Sequence, residues 1–389
     1  MKRIVTVKLV PTPEQHAALS STLKLCNTGA NAVSRFAHTA TDRRPFALQK
    51  QVYADLKARG LSAQPAIRVI KKVSDAYATR QGKLVGGNYG LPGSNRYRRI
   101  AGKAIVFRDD AGQPFDDRCL SWQLEDSTVS IWTTAGRMKG LRFVCAPWQL
   151  ALLADRKGES DLILRDGHFY LHATVDTSTP PSLTPSDGPD GWLGVDLGIV
   201  NLAVTTADDP SNLDLRWSGG AVTAVRKKHQ VLRTALQKVG TKSAKRKLKK
   251  HRRKETRYAT DINHQLSKTI VAQAQRTGQG IAMEDLSGIR DRVRLARTQR
   301  HQLHTWTFAQ LRKQIAYKAQ AAGVPVQVVN PRGTSKTCHR CRHIDSANRP
   351  SQPVFRCRRC AWTGHADHNA AHNIAVLGYE SYRAANQPA

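Results

Sequence analysis

Two short cysteine pairs, CHRC at 338–341 and CRRC at 357–360, constrain this chain more than any other stretch. Their spacing is C-x2-C-x15-C-x2-C. Two close pairs joined by a loop bring four thiolates around one cation, and a tetrahedral set of four thiolates selects Zn2+. Cys338, Cys341, Cys357 and Cys360 are therefore expected to hold one Zn2+. The site should be structural, because four thiolates leave no open position for water. Arg340, Arg342, Arg356, Arg358 and Arg359 lie within or beside the pairs, so the same module is expected to touch phosphate. The remaining cysteines, Cys26, Cys119 and Cys145, are scattered and read as small buried hydrophobes. No export signal is visible: Met1-Lys2-Arg3 runs into a short strand-like stretch broken by Pro11 and Pro13. A disulfide framework is accordingly not expected, and the chain is placed in the cytoplasm.

The charge balance is the second constraint. The chain carries 62 Lys+Arg against 29 Asp+Glu, a formal net charge of +33. Cations that displace condensed counterions gain affinity for phosphate without reading sequence, so nucleic acid is the expected partner. A membrane surface would need a long apolar segment, and no apolar run approaches 18 residues. The excess is densest in VRKKHQVLRTALQKVGTKSAKRKLKKHRRKETR, Val225 to Arg257, with 15 Lys/Arg and the single acid Glu255. Like charges at helical spacing repel, and a phosphate backbone would relieve them. Lys227, Lys228, Arg233, Lys242, Lys245, Arg246, Lys249, Lys250, Arg252 and Arg253 are the expected nucleic-acid contacts.

At 389 residues the chain can hold two or three domains. Val5, Val7 and Leu9 alternate as in a half-buried strand. Thr12, Pro13 and Gln15 then form a capping box, and Leu19, Leu23, Cys26, Ala30 and Val33 line one helical face. A further helix is expected from Pro65, with Ile67, Ile70, Val73 and Tyr77 along one side. From Ala104 to Val175 the runs AIVF, LSWQL, TVSIWTT and LRFV predict a mainly β region, with a hairpin turn at Asp166-Gly167. Ser178 to Gly191, rich in Pro, Ser, Gly and Asp, reads as a linker. Beyond it the pattern alternates: a strand pair over Leu193 to Thr206, the basic helical stretch, a strand in GIAMEDL, a helix from about Thr305, the strand VPVQVV, the cysteine module, and the helical ADHNAAHNIAVLGY. This is an α/β layout.

Within it three acids occupy unusual places. Asp196 lies in the apolar strand GVDLGIVNLAVTT, Glu284 follows the apolar run GIAM, and Asp367 opens the last helix. Each alone could be a cap or a surface charge. Together, three carboxylates at strand ends and a helix start suit a hard cation, Mg2+ or Mn2+, and two such ions can clamp the attacking water and leaving oxygen of a phosphodiester. Gly194 and Gly198 leave room beside Asp196 for a backbone or a phosphate.

The stretches GVDLGIVNLA, MEDLSGIR, RGTSKTCHRC, FRCRRC and ADHNAAHNIA resemble, in order and spacing, the TnpB proteins of bacterial insertion elements, RNA-guided DNA endonucleases related to the type V CRISPR effectors. The resemblance is specific from about Trp192 to Leu377; the opening strand and PTPEQ share it more weakly, and residues 40 to 180 match only in texture. It implies a multidomain chain of mixed α/β and β class. An N-terminal wedge β-barrel is expected over 1–180, with an inserted helical recognition part at roughly 12–100. An RNase H-like RuvC domain is expected over 192–389, with a zinc-ribbon insertion at roughly 333–364. Asp196, Glu284 and Asp367 match the three RuvC acids, which would hold two Mg2+; the four cysteines match the zinc ligands. The segment after Asp196 corresponds to the helical part of RuvC beside the guide–target heteroduplex. Two positions depart from the family pattern: Ala361 stands after Cys360 where glycine is usual, and His365 stands two before the last acid where aspartate is common. The first helix, LCNTGANAVSRFA, is poorer in aromatics than its counterparts.

The expectation is thus an RNA-guided, Mg2+-dependent DNA endonuclease of a mobile element. Its partners would be a guide RNA from the transposon end and double-stranded target DNA, with no membrane and no small-molecule substrate. A nuclease-inactive RNA-guided repressor would have no need of the acids. A DNA transposase could share the fold and the acids, but not the wording around Asp367 or the cysteine insert. A plain zinc-ribbon RNA-binding protein leaves the separated acids unexplained.

Overall fold

A computed structural model describes residues 2–177, 188–198, 200–206, 217–286 and 308–386. The chain divides into two compact units, Met1–Ser178 and Thr179–Ala389. The expected linker at 178–191 falls largely outside the described residues, as does the start of the helix expected from Thr305.

The first unit is built on a seven-stranded antiparallel sheet, β2-β6-β7-β1-β5-β4-β3, curled toward a barrel. Its strands are β1 (Lys2–Leu9), β2 (Gln113–Phe115), β3 (Leu120–Gln123), β4 (Thr128–Thr133), β5 (Gly136–Val144), β6 (Arg156–Arg165) and β7 (His168–Asp176). In β1, Val5, Val7 and Leu9 are buried at period two and join Phe115, Ile131, Phe143, Phe169 and Leu171 in one core. Asp166 (φ 53°) and Gly167 (φ 79°) make the tight β6–β7 turn, both in the left-handed region that such turns demand.

Thr12 caps helix α1 (Pro13–Thr39), accepting from the amide of Gln15 while the Gln15 side chain accepts from the Thr12 amide. The first turns of α1 put Leu19 and Leu23 into the barrel core. Later turns put Cys26, Ala30 and Val33 against α2 (Pro45–Ala58) and α3 (Ala63–Val85). On α3 the buried stripe runs Ala66, Val69, Ile70, Val73 and Tyr77, whereas Ile67 is only half buried. α4 (Asn95–Ala101) follows, and α5 (Pro147–Leu153) separates β5 from β6. The run AIVF, expected as a strand, has no sheet partner. It is held by side chains instead: Asn31 pairs with both amide and carbonyl of Phe107, and Ser34 donates to the Ile105 carbonyl. Those side chains satisfy the backbone as a ladder would, so an apolar run passes for a strand.

The second unit holds a five-stranded sheet, β10-β9-β8-β11-β12. These are β8 (Trp192–Asp196), β9 (Asn201–Thr205), β10 (Trp217–Ser218), β11 (Gly280–Glu284) and β12 (Val326–Val329). β8, β11 and β12 run parallel; β9 and β10 are antiparallel additions to one side. The basic stretch is not one helix. Gly240, at φ 67°, ends α6 (Gly220–Val239), and Thr241 caps α7 (Lys242–Arg276), accepting from the Ala244 amide. α8 (Phe308–Ala321) and α9 (Ala366–Asn386) complete the layers.

Strand alternation sorts the two faces of this sheet. Leu193, Val195, Ile281 and Met283 pack against Leu266 and Ile270 of α7 and Leu311 and Ile315 of α8. The alternate residues, Trp192 and Ala282, pack against Ile374 of α9. Period two therefore carries Asp196 and Glu284, at the ends of β8 and β11, to the face covered by α9. No helix among the described residues is long and apolar enough to cross a membrane.

Candidate active site and zinc module

β8 and β11 are parallel neighbours, with Met283 level with Val195, so Asp196 and Glu284 leave the sheet at the same edge. Ligands of open α/β sheets gather outside the carboxyl ends of parallel strands. α9 reaches that edge by close approach of backbones. A Cβ on Gly194 would lie 1.9 Å from the Ala371 carbonyl oxygen, and one on Gly378 would lie 2.4 Å from the Ala282 methyl. With no side chains between them, β8 and α9 bring Asp367, in the first turn of α9, beside the two strand acids.

Asp196 feels the other two carboxylates. Burial pushes the Asp196 carboxyl well above the ordinary carboxylate range, and Glu284 and Asp367 add to the shift; Arg349 opposes it. Burial raises Glu284 as well, against the hydrogen bond donated by Thr334. Asp367 is 7% exposed. One of its oxygens accepts from Asn201 Nδ2 at 2.8 Å and the other from Arg349 Nη2 at 3.1 Å. His365 accepts from the Asp367 amide at 3.2 Å, so this departure from the family pattern acts as a cap on α9.

Asn201, Thr334 and Arg349 are site residues that the sequence reading did not single out. Arg349 comes from the cysteine module, 18 positions before Asp367, and no local pattern marks it. The carboxylate oxygens are spread more widely than a closed cage: among the described residues, the groups whose ligand atoms all lie within 4.8 Å are the four cysteines and a separate His229–His251–Glu255 set. The acids nonetheless form an oxygen donor set whose negative charge is only partly met by Arg349, which suits a hard divalent cation.

The cysteine module spans the loop after β12, a turn of 3-10 helix (Ser346–Asn348) and the antiparallel pair β13 (Val354–Arg356) and β14 (Thr363–His365). Cys338 Sγ lies 3.8 Å from Cys360 Sγ, and Cys341 Sγ lies 3.5 Å from Cys357 Sγ. Tetrahedral sulfurs at the Zn–S bond length are about 3.8 Å apart, so the set fits one structural zinc. Arg342 (φ 60°) and Ala361 (φ 59°) each follow the second cysteine of a pair in the left-handed region, the conformation that glycine adopts without strain. Two buried asparagines one turn apart on α9 bind the module to the sheet domain. Asn373 Nδ2 donates to the carbonyls of Thr334 and Thr337 at 2.9 and 2.7 Å. Asn369 Nδ2 donates to Thr337 O at 2.8 Å and its oxygen accepts from the His339 amide at 3.0 Å.

Along the basic hairpin Lys227, Lys228, Lys242, Lys245, Arg246, Lys249, Lys250 and Arg252 are exposed. Arg233 is half buried and paired with Glu255 at 3.2 Å, so it is less open to phosphate than the others. Arg253 lies on α7.

Parallel strands with acids at one edge, a helix supplying a third, and a four-cysteine module beside it define a class of α/β protein with a zinc-compatible insertion. Comparison with known proteins narrows it. The Cas12f1-like TNB domain model matches residues 308–374. A CRISPR-associated endodeoxyribonuclease Cas12f1 of Sulfoacidibacillus thermotolerans is 33% identical over 196 residues, 47% of this chain and 45% of that one. A TnpB-like protein of Methanocaldococcus jannaschii is 28% identical over 173 residues, 43% of this chain and 61% of that one. The fold is similar to that in a cryo-EM structure of a Cas12f1–sgRNA–target DNA complex, with TM-score 0.60 at 14% identity, covering 92% of this chain and 82% of that one. The matched regions span about half the length of these curated relatives. In sequence the chain is similar to both Cas12f1 endonucleases and TnpB-like proteins.

Proposed function

We propose that the chain is an RNA-guided DNA endonuclease of a transposable element. The observation that carries this reading is the convergence of Asp196, Glu284 and Asp367 at one sheet edge, where burial, Glu284 and Asp367 push the Asp196 carboxyl up. A binder or repressor gains nothing from crowding one buried and two half-buried acids, which costs stability unless a cation and a phosphate relieve it. The names of the relatives, RNA-guided or CRISPR-associated endonucleases, point the same way.

In this reading 192–389 is a RuvC-like nuclease domain with its zinc ribbon inserted at roughly 333–364. Residues 1–180 form a wedge barrel carrying a helical recognition part at roughly 12–100. Asp196, Glu284 and Asp367 would hold two Mg2+ or Mn2+ ions, whose chemistry is the activation of water and neutralisation of the leaving 3′ oxygen. The protein's own residues set the geometry. Thr334 orients Glu284, Asn201 orients Asp367, and the Arg349 guanidinium is placed to meet a phosphate brought to the acids. With one acid set among the described residues, both strands would be cut in turn at the same site. The exposed lysines and arginines of α6 and α7 hold the phosphates of guide RNA and target DNA. A short flanking motif is read on the duplex, and guide pairing reads the rest. The guide comes from the transposon end, and the complex works on cytoplasmic, nucleoid-associated DNA.

The test is to co-express the chain with its flanking RNA, purify the complex, and incubate it with Mg2+ and a guide-matched plasmid library with randomised flanks. Linear plasmid enriched for one flank is the expected result. Tight, guide-dependent binding with no cutting would overturn the nuclease reading in favour of a repressor.

A further inference from the structure

Glu255, the lone acid of the basic run, stands in a cluster that the nuclease reading does not use. His229 on α6 and His251 on α7 are equally distant in sequence from Gly240, so the antiparallel hairpin brings them face to face. Glu255 lies one turn beyond His251 on the same helix. His229 Nδ1 and His251 Nε2 are 3.0 Å apart. His251 Nε2 is also 3.4 Å from the His229 carbonyl oxygen and 3.5 Å from Glu255 Oε1. His251 is 8% exposed. Three lone-pair donors thus converge on one buried imidazole nitrogen, and a single N–H can satisfy one of them well.

We propose that His229, His251 and Glu255 form a second metal site, which takes a borderline d-block dication such as Zn2+ and pins α6 to α7. Two of the ligand separations, 3.0 and 3.5 Å, bracket the edge of a tetrahedral site, which is about 3.3 Å for ligands at 2.0–2.1 Å, and all three ligand atoms lie within 4.8 Å of one another. Two imidazoles and one carboxylate favour Zn2+ over Mg2+ or Ca2+, which want several oxygens. Arg233 holds the other Glu255 oxygen at 3.2 Å, and Arg226 and Lys254 are close enough to act on the cluster electrostatically. These cations oppose any dication, so binding rests on the bonds to the two imidazole nitrogens, which Zn2+ makes better than Mg2+ or Ca2+. The bound ion would fix the hairpin that presents Lys242, Lys245, Arg246, Lys249 and Lys250.

Zinc counting tests this without reference to cleavage. The full-length chain is equilibrated with zinc sulfate, desalted, and assayed by inductively coupled plasma mass spectrometry. Two zinc ions per chain are expected in the wild type. One is expected in His229→Ala and in His251→Ala, with the far-UV circular dichroism of the wild type. One zinc in the wild type, or two in both histidine variants, overturns the proposal. Should the variants misfold, titration of the wild-type chain with Co2+ decides. The four-cysteine site gives thiolate-to-metal charge-transfer bands, and a further equivalent should add d–d absorption without them. A titration that ends with the thiolate bands refutes the second site.

Discussion

Gly194→Ala probes the contact on which the site depends. The added Cβ would sit 1.9 Å from the Ala371 oxygen, 2.7 Å from the Ala375 nitrogen and 2.9 Å from the Ala371 carbon. All three are backbone atoms of α9, so no side chain can rotate away. Restoring a contact of about 3.4 Å requires β8 and α9 to part by roughly 1.5 Å. Overpacking of this kind costs typically 1–3 kcal/mol, and the rigid neighbours put this case near the top, about 3 kcal/mol. At roughly 2–4 °C per kcal/mol for a unit of this size, the melting temperature should fall by about 6–12 °C. The same displacement moves Asp367 relative to Asp196 and Glu284, and a misplacement of about 1 Å can cost 10²-fold in rate. The assay is thermal unfolding followed by circular dichroism, paired with guide-matched plasmid cleavage well below the melting point. Gly82→Ala in α3 is the control, since a Cβ there meets nothing within 4 Å. A Gly194→Ala protein that melts and cuts like wild type would refute the close-approach reasoning.

Asn373→Ala strips partners from the Thr334 carbonyl and from Arg342, whose guanidinium donates to Asn373 Oδ1 at 3.1 Å; a loss of about 1–3 kcal/mol in denaturant titration is expected, with earlier proteolysis of the cysteine module. Ala361→Gly removes a left-handed alanine and should stabilise the zinc-loaded module by about 1 kcal/mol, read as a higher melting temperature. Asp196→Asn should stabilise the Mg2+-free protein in a pH-dependent way. The folded Asp196 pKa is raised above its ordinary 3.8, so its carboxyl favours folding below that value and loses this contribution as pH rises through the folded pKa. The variant should therefore melt above wild type at pH 8 and converge with it near pH 4; equal melting at both would remove the crowding of charge from the account.

Much of the scaffold was legible because its signals are local. The Thr12–Gln15 capping box, the period-two burial of β1, the Asp166-Gly167 turn and the cysteine spacing each rest on a few adjacent residues, and each is present in the structure. The placement of the strand acids was legible for a related reason: a carboxylate in an apolar strand stands out locally, and β8 and β11 do end side by side with Asp196 and Glu284 at one edge. Residues defined by distant partners were not. Asn201, Thr334 and Arg349 act only through contacts with Asp367 or Glu284, and Asn369 and Asn373 only through the carbonyls of the cysteine module. AIVF misled because side chains from α1 replaced a sheet partner. The break at Gly240 was overlooked because the charge run continues unbroken across it, although glycine with a following Thr cap marks it.

The central claim is that three acids, held together by β8, β11 and α9, cut DNA chosen by a guide RNA. Asp196→Ala tests it most directly when binding and cleavage are measured on one preparation: electrophoretic mobility shift of a guide-matched duplex, and linearisation of the matching plasmid in Mg2+. The expected result is binding close to wild type with cutting abolished. Continued cutting by the Asp196→Ala complex would contradict the account.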